Sequence, residues 1–163
     1  MKALVIYYSH DGNTRLIAQT IAEATGADTL ELEPTKEVAS QGFAKFLWGG
    51  AQVMMKRTPP LLPFDKQPQE YDLLFIGTPV WAWTYTPPLR TFFSTTDLTS
   101  KKIALFCSYA GNKGAVFQDM KDALPGNNFV GELDFMNPME PETAESVQKA
   151  SEWAKNIMAT LGE

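Results

Sequence analysis

Residues 9–14 read Ser-His-Asp-Gly-Asn-Thr and stand between an apolar run, "ALVIYY" at 3–8, and the start of a helical pattern. A helix N-terminus presents amides without an intrahelical partner and a partial positive charge. Gly12 lets the backbone approach an anion closely. Ser9, Asn13 and Thr14 add donors that do not depend on pH, with His10 and Asp11 between them. Such a turn suits a phosphate monoester. It serves equally as a plain helix cap, because Ser, Asp, Asn and Thr all cap well without a ligand. It is not a P-loop, which needs Gly-Lys-Ser/Thr, and one glycine falls short of the dinucleotide fingerprint.

Two other stretches carry groups of the same kind. Residues 78–87 run Thr78, Pro79, Val80, Trp81, Ala82, Trp83 and then "TYTP", including Tyr85. Large aromatic side chains in a polar, proline-rich segment suit a flat aromatic ligand, stacking being worth roughly 0.5–1.5 kcal/mol per ring pair beyond burial. They could instead seal the rim of a core or face a partner protein. Residues 108–114 offer Ser108, Tyr109, Ala110, Gly111 and Gly114. These are a further ring with backbone amides, or an ordinary glycine-rich turn.

These stretches act together only if the fold unites them. The continuous apolar run at 3–8 predicts a strand buried on both faces. Leu16, Ile17, Ile21 and Ala24 predict a helix over 13–25 that ends at Gly26. Strands are expected at 28–33, 72–77, 102–107 and 129–136, with the one at 28–33 near a sheet edge. Helices are expected over 40–56, 88–94, 114–123 and 141–161, with Thr143 or Glu140 capping the last, and a proline-rich loop over 57–70. Alternating strands and helices predict one α/β domain over 1–163. Its expected architecture is a doubly wound, five-stranded parallel sheet in the order 2-1-3-4-5, in three αβα layers. Ligands of such sheets bind beyond the carboxyl ends of the strands, where the order reverses, and that point gathers the three stretches. Phosphate at one end and a flat polar heterocycle at the other describe flavin mononucleotide, FMN.

The remaining composition narrows the chemistry. The chain has 163 residues, a net charge of −5, one cysteine and one histidine. An acidic balance argues against binding nucleic acid. Cys107 alone cannot form an intramolecular disulfide, and with His10 alone it excludes cysteine-rich or histidine-rich metal sites. Cys107 reads as a small buried strand residue. The apolar N-terminal run is too short for a signal sequence or membrane span, so a cytoplasmic protein that binds no membrane is expected.

The same residues resemble the flavodoxin family. "SHDGNT" is similar to its phosphate loop, with Ser9, Gly12, Asn13 and Thr14 matching. "GTPVWAWT" resembles its second flavin loop, and "CSYAGNKGA" its third, where Tyr109 would be a second ring cover. The resemblance implies non-covalent FMN and one-electron transfer between redox partner proteins by a monomer or weak dimer. Asp11 departs from the family's Thr or Ser, and a carboxylate there is expected to point outward or cap the helix. Arg15 reads as a solvated charge or as added phosphate compensation. The family commonly has a glycine in the second loop whose peptide turns toward the reduced ring. Residues 78–87 have none, so forcing Ala82 or a neighbour left-handed would cost roughly 1–2 kcal/mol. Weaker stabilisation of the half-reduced flavin follows. A charge of only −5, with Lys56, Arg57, Arg90 and Lys113 expected near the site, implies a less negative potential than typical members have.

An FMN-dependent NAD(P)H:quinone-type oxidoreductase is the competing reading, with Phe43, Trp48, Met54 and Pro59–Pro63 over the ring. The flavodoxin-like protoporphyrinogen oxidases share an Asp-Gly-x-Thr loop, but their long basic segment is absent here. A phosphoryl-accepting receiver fits poorly, because it needs an Asp where the third strand ends "FIGT".

Overall fold

A computed structural model of the chain describes residues 1–36, 51, 56–139 and 143–162. The helix expected over 40–56 falls almost wholly outside them, as do Glu140 and the first two residues of the expected last helix. Five strands, β1 (Ala3–Tyr7), β2 (Asp28–Glu31), β3 (Leu73–Pro79), β4 (Lys102–Tyr109) and β5 (Asn128–Met136), form one sheet. All neighbours are parallel and the order is β2-β1-β3-β4-β5, as the pattern predicts. The α-helices among the described residues are α1 (Asn13–Thr25), α2 (Pro87–Thr95), α3 (Val116–Ala123) and α4 (Thr143–Gly162).

Strand alternation sorts the apolar runs onto two faces. Leu4, Ile6, Tyr8, Leu74, Ile76, Leu105 and Cys107 lie on one face, with Leu89 and Phe92 of α2 and Val116 and Met120 of α3. Val5, Tyr7, Leu73, Phe75, Ala104 and Phe106 lie on the other, with Ile17 and Ile21 of α1 and Ala150, Ala154 and Ile157 of α4. Each fully buried Leu, Ile or Phe contributes roughly 1.5–3 kcal/mol, which is why β1 and β3 carry no polar interruption until their carboxyl ends.

Element ends follow local chemistry. Gly26 adopts a left-handed φ of 69° and its amide bonds the Ala22 carbonyl at 2.8 Å, closing α1 as expected. Pro87 and Pro88 open α2, where a missing N–H costs nothing. Helix α3 begins at Val116, later than the expected 114, because Gly114 has φ 57°. Strand β2 stops at Glu31 rather than at 33, although the Leu32 amide still reaches the Tyr7 carbonyl at 2.7 Å. Beyond it the chain turns to meet the proline-rich segment through an isolated antiparallel bridge between Pro34 and Leu61. Among the described residues no helix is long and apolar enough to cross a membrane.

One close approach on the α1 and α4 face controls the sheet's interior. Gly77 of β3 lies opposite Phe106 of β4, and a Cβ at Gly77 would overlap the Phe106 ring. The ring covers the glycine where no side chain stands. Gly77→Ala is therefore expected to lower stability by about 1–3 kcal/mol, read from urea denaturation midpoints. Phe106→Leu in the same chain should recover part of that loss; full additivity of the two losses would show that the contact does not set the cost.

Candidate functional site

The carboxyl ends of β1, β3 and β4 open into a cleft lined by Asp11, Asn13, Pro79, Val80, Trp81, Ser108, Tyr109, Ala110 and Asn137. All three stretches singled out in the sequence contribute to this wall. A fourth turn, 137–139, joins them.

The first loop is built around the start of α1. Gly12 adopts φ 95°, a conformation closed to most side chains, and its carbonyl accepts the Leu16 amide at 2.9 Å. Ser9 is buried, and its Oγ accepts the Arg15 amide at 3.2 Å. The amides of Asn13 and Thr14, in the same first turn, have no helical carbonyl behind them. Capping thus falls to Ser9 and not to Asp11, which stays exposed at the cleft and accepts a bond from Asn13 Nδ2 at 3.3 Å. Thr14 is buried and shares a 2.7 Å hydrogen bond with the Ser108 hydroxyl, tying the first loop to the third. Arg15 does not face the cleft. Its guanidinium holds both carboxylate oxygens of Glu31, at 3.1 and 2.5 Å, and Tyr7 donates to the same carboxylate. Burial, and then that carboxylate, push the Tyr7 phenol up to about 12.

The second loop is a tight turn. Trp81 and Thr84 exchange both backbone bonds, at 3.0 and 3.1 Å, and the two residues between them are left-handed, Ala82 at φ 47° and Trp83 at φ 64°. Two positive φ values at the central positions match a type I′ turn, which normally uses Asn or Gly. The left-handed conformation that the lack of glycine makes costly is therefore already present. It costs roughly 1–2 kcal/mol per residue. Three contacts offset it. At the base, Thr78 Oγ1 accepts the Thr86 amide at 3.2 Å. The Trp81 ring meets Tyr8 and His10 edge-on, with centroids at 5.8 and 5.7 Å. At the tip, the Ala115 amide bonds the Trp83 carbonyl at 3.2 Å. The aromatic residues of the stretch have separate fates. Trp81 lines the cleft, Trp83 is 67% exposed on the rim, and Tyr85 is buried against Phe93.

The third loop supplies Ser108, Tyr109 and Ala110 to the wall. Gly111 and Gly114 do not line it. Gly114 packs against the second loop so closely that a Cβ would overlap Trp83, whereas a Cβ at Gly111 would meet nothing within 4 Å. Tyr109 donates its phenol to Asp134 Oδ2 at 2.9 Å, and Lys113 Nζ holds the other oxygen at 2.6 Å. That hydrogen bond, with some burial, raises the Tyr109 phenol, and the same carboxylate raises the Lys113 ammonium. Burial pushes the Asp134 carboxyl up, but the bonds from Lys113 and Tyr109 outweigh it and hold the carboxyl low. Cys107, fully buried, has its thiol pushed up to about 12 by burial and then by Asp134, so it is no nucleophile. Neither Lys113 nor Arg90, Lys56 or Arg57 lines the cleft; Arg90 lies over the Tyr85 ring at 5.3 Å.

The fourth turn was missed in the sequence. Asn137 adopts φ 44° and its amide bonds the Tyr109 carbonyl at 2.9 Å. The Met139 amide donates to Asn13 Oδ1 at 3.3 Å, and Met139 Sδ would lie 3.4 Å from a Cβ at Gly12. Thr143, expected as a cap, instead donates its hydroxyl to the Met139 carbonyl. The Asn-Pro pair at 137–138 is the available turn signal.

A flavodoxin family model matches residues 2–157. The chain belongs to the flavodoxin family. Solved structures share the fold. A flavoprotein from Lactobacillus acidophilus, solved in complex with FMN, superposes with a TM-score of 0.71 at 23% identity, covering 82% of this chain and 92% of that one. A putative flavoprotein from Bacteroides uniformis gives 0.76 at 22% identity over 94% and 97%. A flavodoxin from the domain Archaea gives 0.62 at 16% over the full length of both. A comparison with curated proteins finds no match.

Two outcomes follow for this flavodoxin-family site. Gly114→Ala is expected to cost about 1–3 kcal/mol, because the methyl meets backbone and a left-handed φ. Gly111→Ala should stay within about 0.5 kcal/mol of the parent. Equal thermal midpoints for the two variants would contradict this account of the interlocked loops. The second outcome concerns acid. The folded Asp134 carboxyl lies below its unfolded value of about 3.9. Its contribution to stability is complete above that pH and is lost as the pH falls through the folded value. Asp134→Asn should therefore flatten the acid limb of the stability curve, measured by urea unfolding between neutral pH and about pH 3.

Proposed function

We propose that the chain binds one FMN non-covalently in this cleft and carries electrons between redox partner proteins. The observation that supports it most is the meeting of the α1 N-terminus, Trp81 and Tyr109 around one cleft at the point where strand order reverses. The FMN complex of the Lactobacillus acidophilus flavoprotein, which shares the fold, adds support.

The residues fit the group. Gly12, Asn13 and Thr14 offer backbone amides, and Asn13 a side-chain amide, for a phosphate, with Ser9 behind them and His10 and Asp11 at the side. No cation lines the cleft among the described residues, so neutral donors and the helix N-terminus would bear the phosphate. Pro79 to Trp81 and Ser108 to Ala110 would flank the ring, with Thr78, Ala82, Trp83 and Gly111 completing their loops beside it and Gly114 setting the loop spacing. Bound flavin supplies reversible electron transfer. The protein's part is to hold, orient and shield the ring; no side chain need act as acid, base or nucleophile. Exposed Trp83, Met136 and Met139 give the cleft's surroundings apolar surface for brief protein contacts.

The test is a visible absorption spectrum of the protein mixed with FMN, followed by anaerobic NADPH. Flavin bands that stay with the protein through gel filtration and survive NADPH are the expected result for a carrier. Rapid bleaching by NADPH would replace the carrier with an oxidoreductase. FMN that separates from the protein would remove the flavin reading altogether.

A further inference from the structure

Tyr109 is the one cleft-lining ring whose polar end is held by a carboxylate, and that carboxylate lies outside the cleft wall. Asp134 sits on β5 opposite Cys107 of β4, half-buried beneath the third loop. Its two oxygens are divided between Tyr109 and Lys113, and its backbone carbonyl accepts Lys149 Nζ of α4 at 3.1 Å. Three elements therefore converge on one residue outside the cleft lining.

Resting on the flavin reading above, we propose that Asp134 is a positioning residue for Tyr109, fixing the ring in the cleft and enriching its π-system through the hydrogen bond that the phenol donates. A phenol that donates to a carboxylate is polarised toward phenolate, because hydrogen bonds to charged acceptors are roughly twice as strong as neutral ones and polarise along the chain. An electron-rich ring favours the electron-poor oxidised flavin over the reduced one. Lys113 keeps the carboxylate ionised and in place, and it holds the net charge of the cluster near zero. Removing Asp134 leaves Lys113 unpaired, so a direct charge effect accompanies the one carried by Tyr109, and the two are separated by removing the Tyr109 hydroxyl.

The charged and titratable groups around the phenol are Asp134 on β5, Lys113 in the third loop, Cys107 on β4 and Lys149 on α4; Asp11 lines the same cleft from the first loop. Cys107 stays un-ionised well above neutral pH. Asp134 is the dominant influence, and its charge disfavours phenolate.

The experiment has an apoprotein arm and an FMN arm. In the apoprotein, tyrosinate absorbance is titrated for the parent, Asp134→Asn and Tyr109→Phe, the last assigning the Tyr109 component. Asp134→Asn is expected to move that component to lower pH. In the FMN complex, midpoint potentials are measured for the parent, both single variants and the double variant. Each single variant should be less negative than the parent, and the Asp134→Asn shift should be smaller in the Tyr109→Phe background than in the parent. An unmoved Tyr109 titration would overturn the proposal. So would an Asp134→Asn shift that persists undiminished in the Tyr109→Phe background, since that is charge acting directly on the flavin. A moved titration in a protein that binds no FMN overturns the flavin reading, and with it the ring's role, while leaving the hydrogen bond as a fact of the fold.

Discussion

Everything in the cleft depends on β1 pairing with two partners at once. Its register places Tyr7 beside Glu31 of β2 on one side and beside Gly77 of β3 on the other. From β1 the chain leaves through α1 toward one face, and from β3 it leaves through α2 toward the other. The two connections diverge, so the carboxyl ends of neighbouring strands cannot be covered by their own helices. A crevice is the geometric remainder. It exists because both faces of the sheet are apolar and each demands a helix layer, not because any loop residue requires it.

Within that crevice the loops hold one another. The third loop fixes the tip of the second through the Ala115 amide on the Trp83 carbonyl, and Gly114 leaves the room for it. The Thr14 and Ser108 hydroxyls join the first loop to the third inside the core. The fourth turn joins the first through Asn13 and Met139. Two left-handed residues in the second loop are stable only in this company. Roughly 2–4 kcal/mol of local backbone cost is met by neighbours rather than by the turn's own sequence. Strain of this kind at a cleft is typical of sites where the backbone must present itself in a set orientation.

The sheet and its order were legible because their cause is local. "ALVIYY", "DLLFIG" and "KIALFC" are apolar on both faces, and Gly26 and Pro87–Pro88 mark helix ends by their own backbone limits. The site was legible as three stretches and illegible as contacts. Trp81, Trp83 and Tyr85 look alike in sequence, yet one lines the cleft, one is exposed and one is buried. Which is which depends on a turn that lacks the residues a turn of its type prefers, held by the Ala115 amide where Gly114 leaves room for it. Likewise Arg15 reads as a charge near an anion. Only the register of β2 on β1 puts Glu31 within its reach. The Asn137 turn escaped because a strand and a helix were expected on either side of it and nothing was read between them.

Charge placement sets how such a cleft can bind. Among the described residues, Arg15 is paired with Glu31 and Lys113 with Asp134, so these two cations are engaged by carboxylates of the fold. Among the described residues, the charged side chain in the cleft lining is Asp11. A phosphate would therefore be held by geometry: amides of the first helical turn, converging through Gly12, with a dipole worth about 0.3–1 kcal/mol for an exposed group and up to about 2 when partly buried. Where the described lining offers no cation, the groups behind the wall contribute to the field across the cleft. The ion pairs then matter less for affinity than for the environment of the bound group. Tyr109 belongs to the wall, and Asp134 and Lys113 stand directly behind it through its phenol.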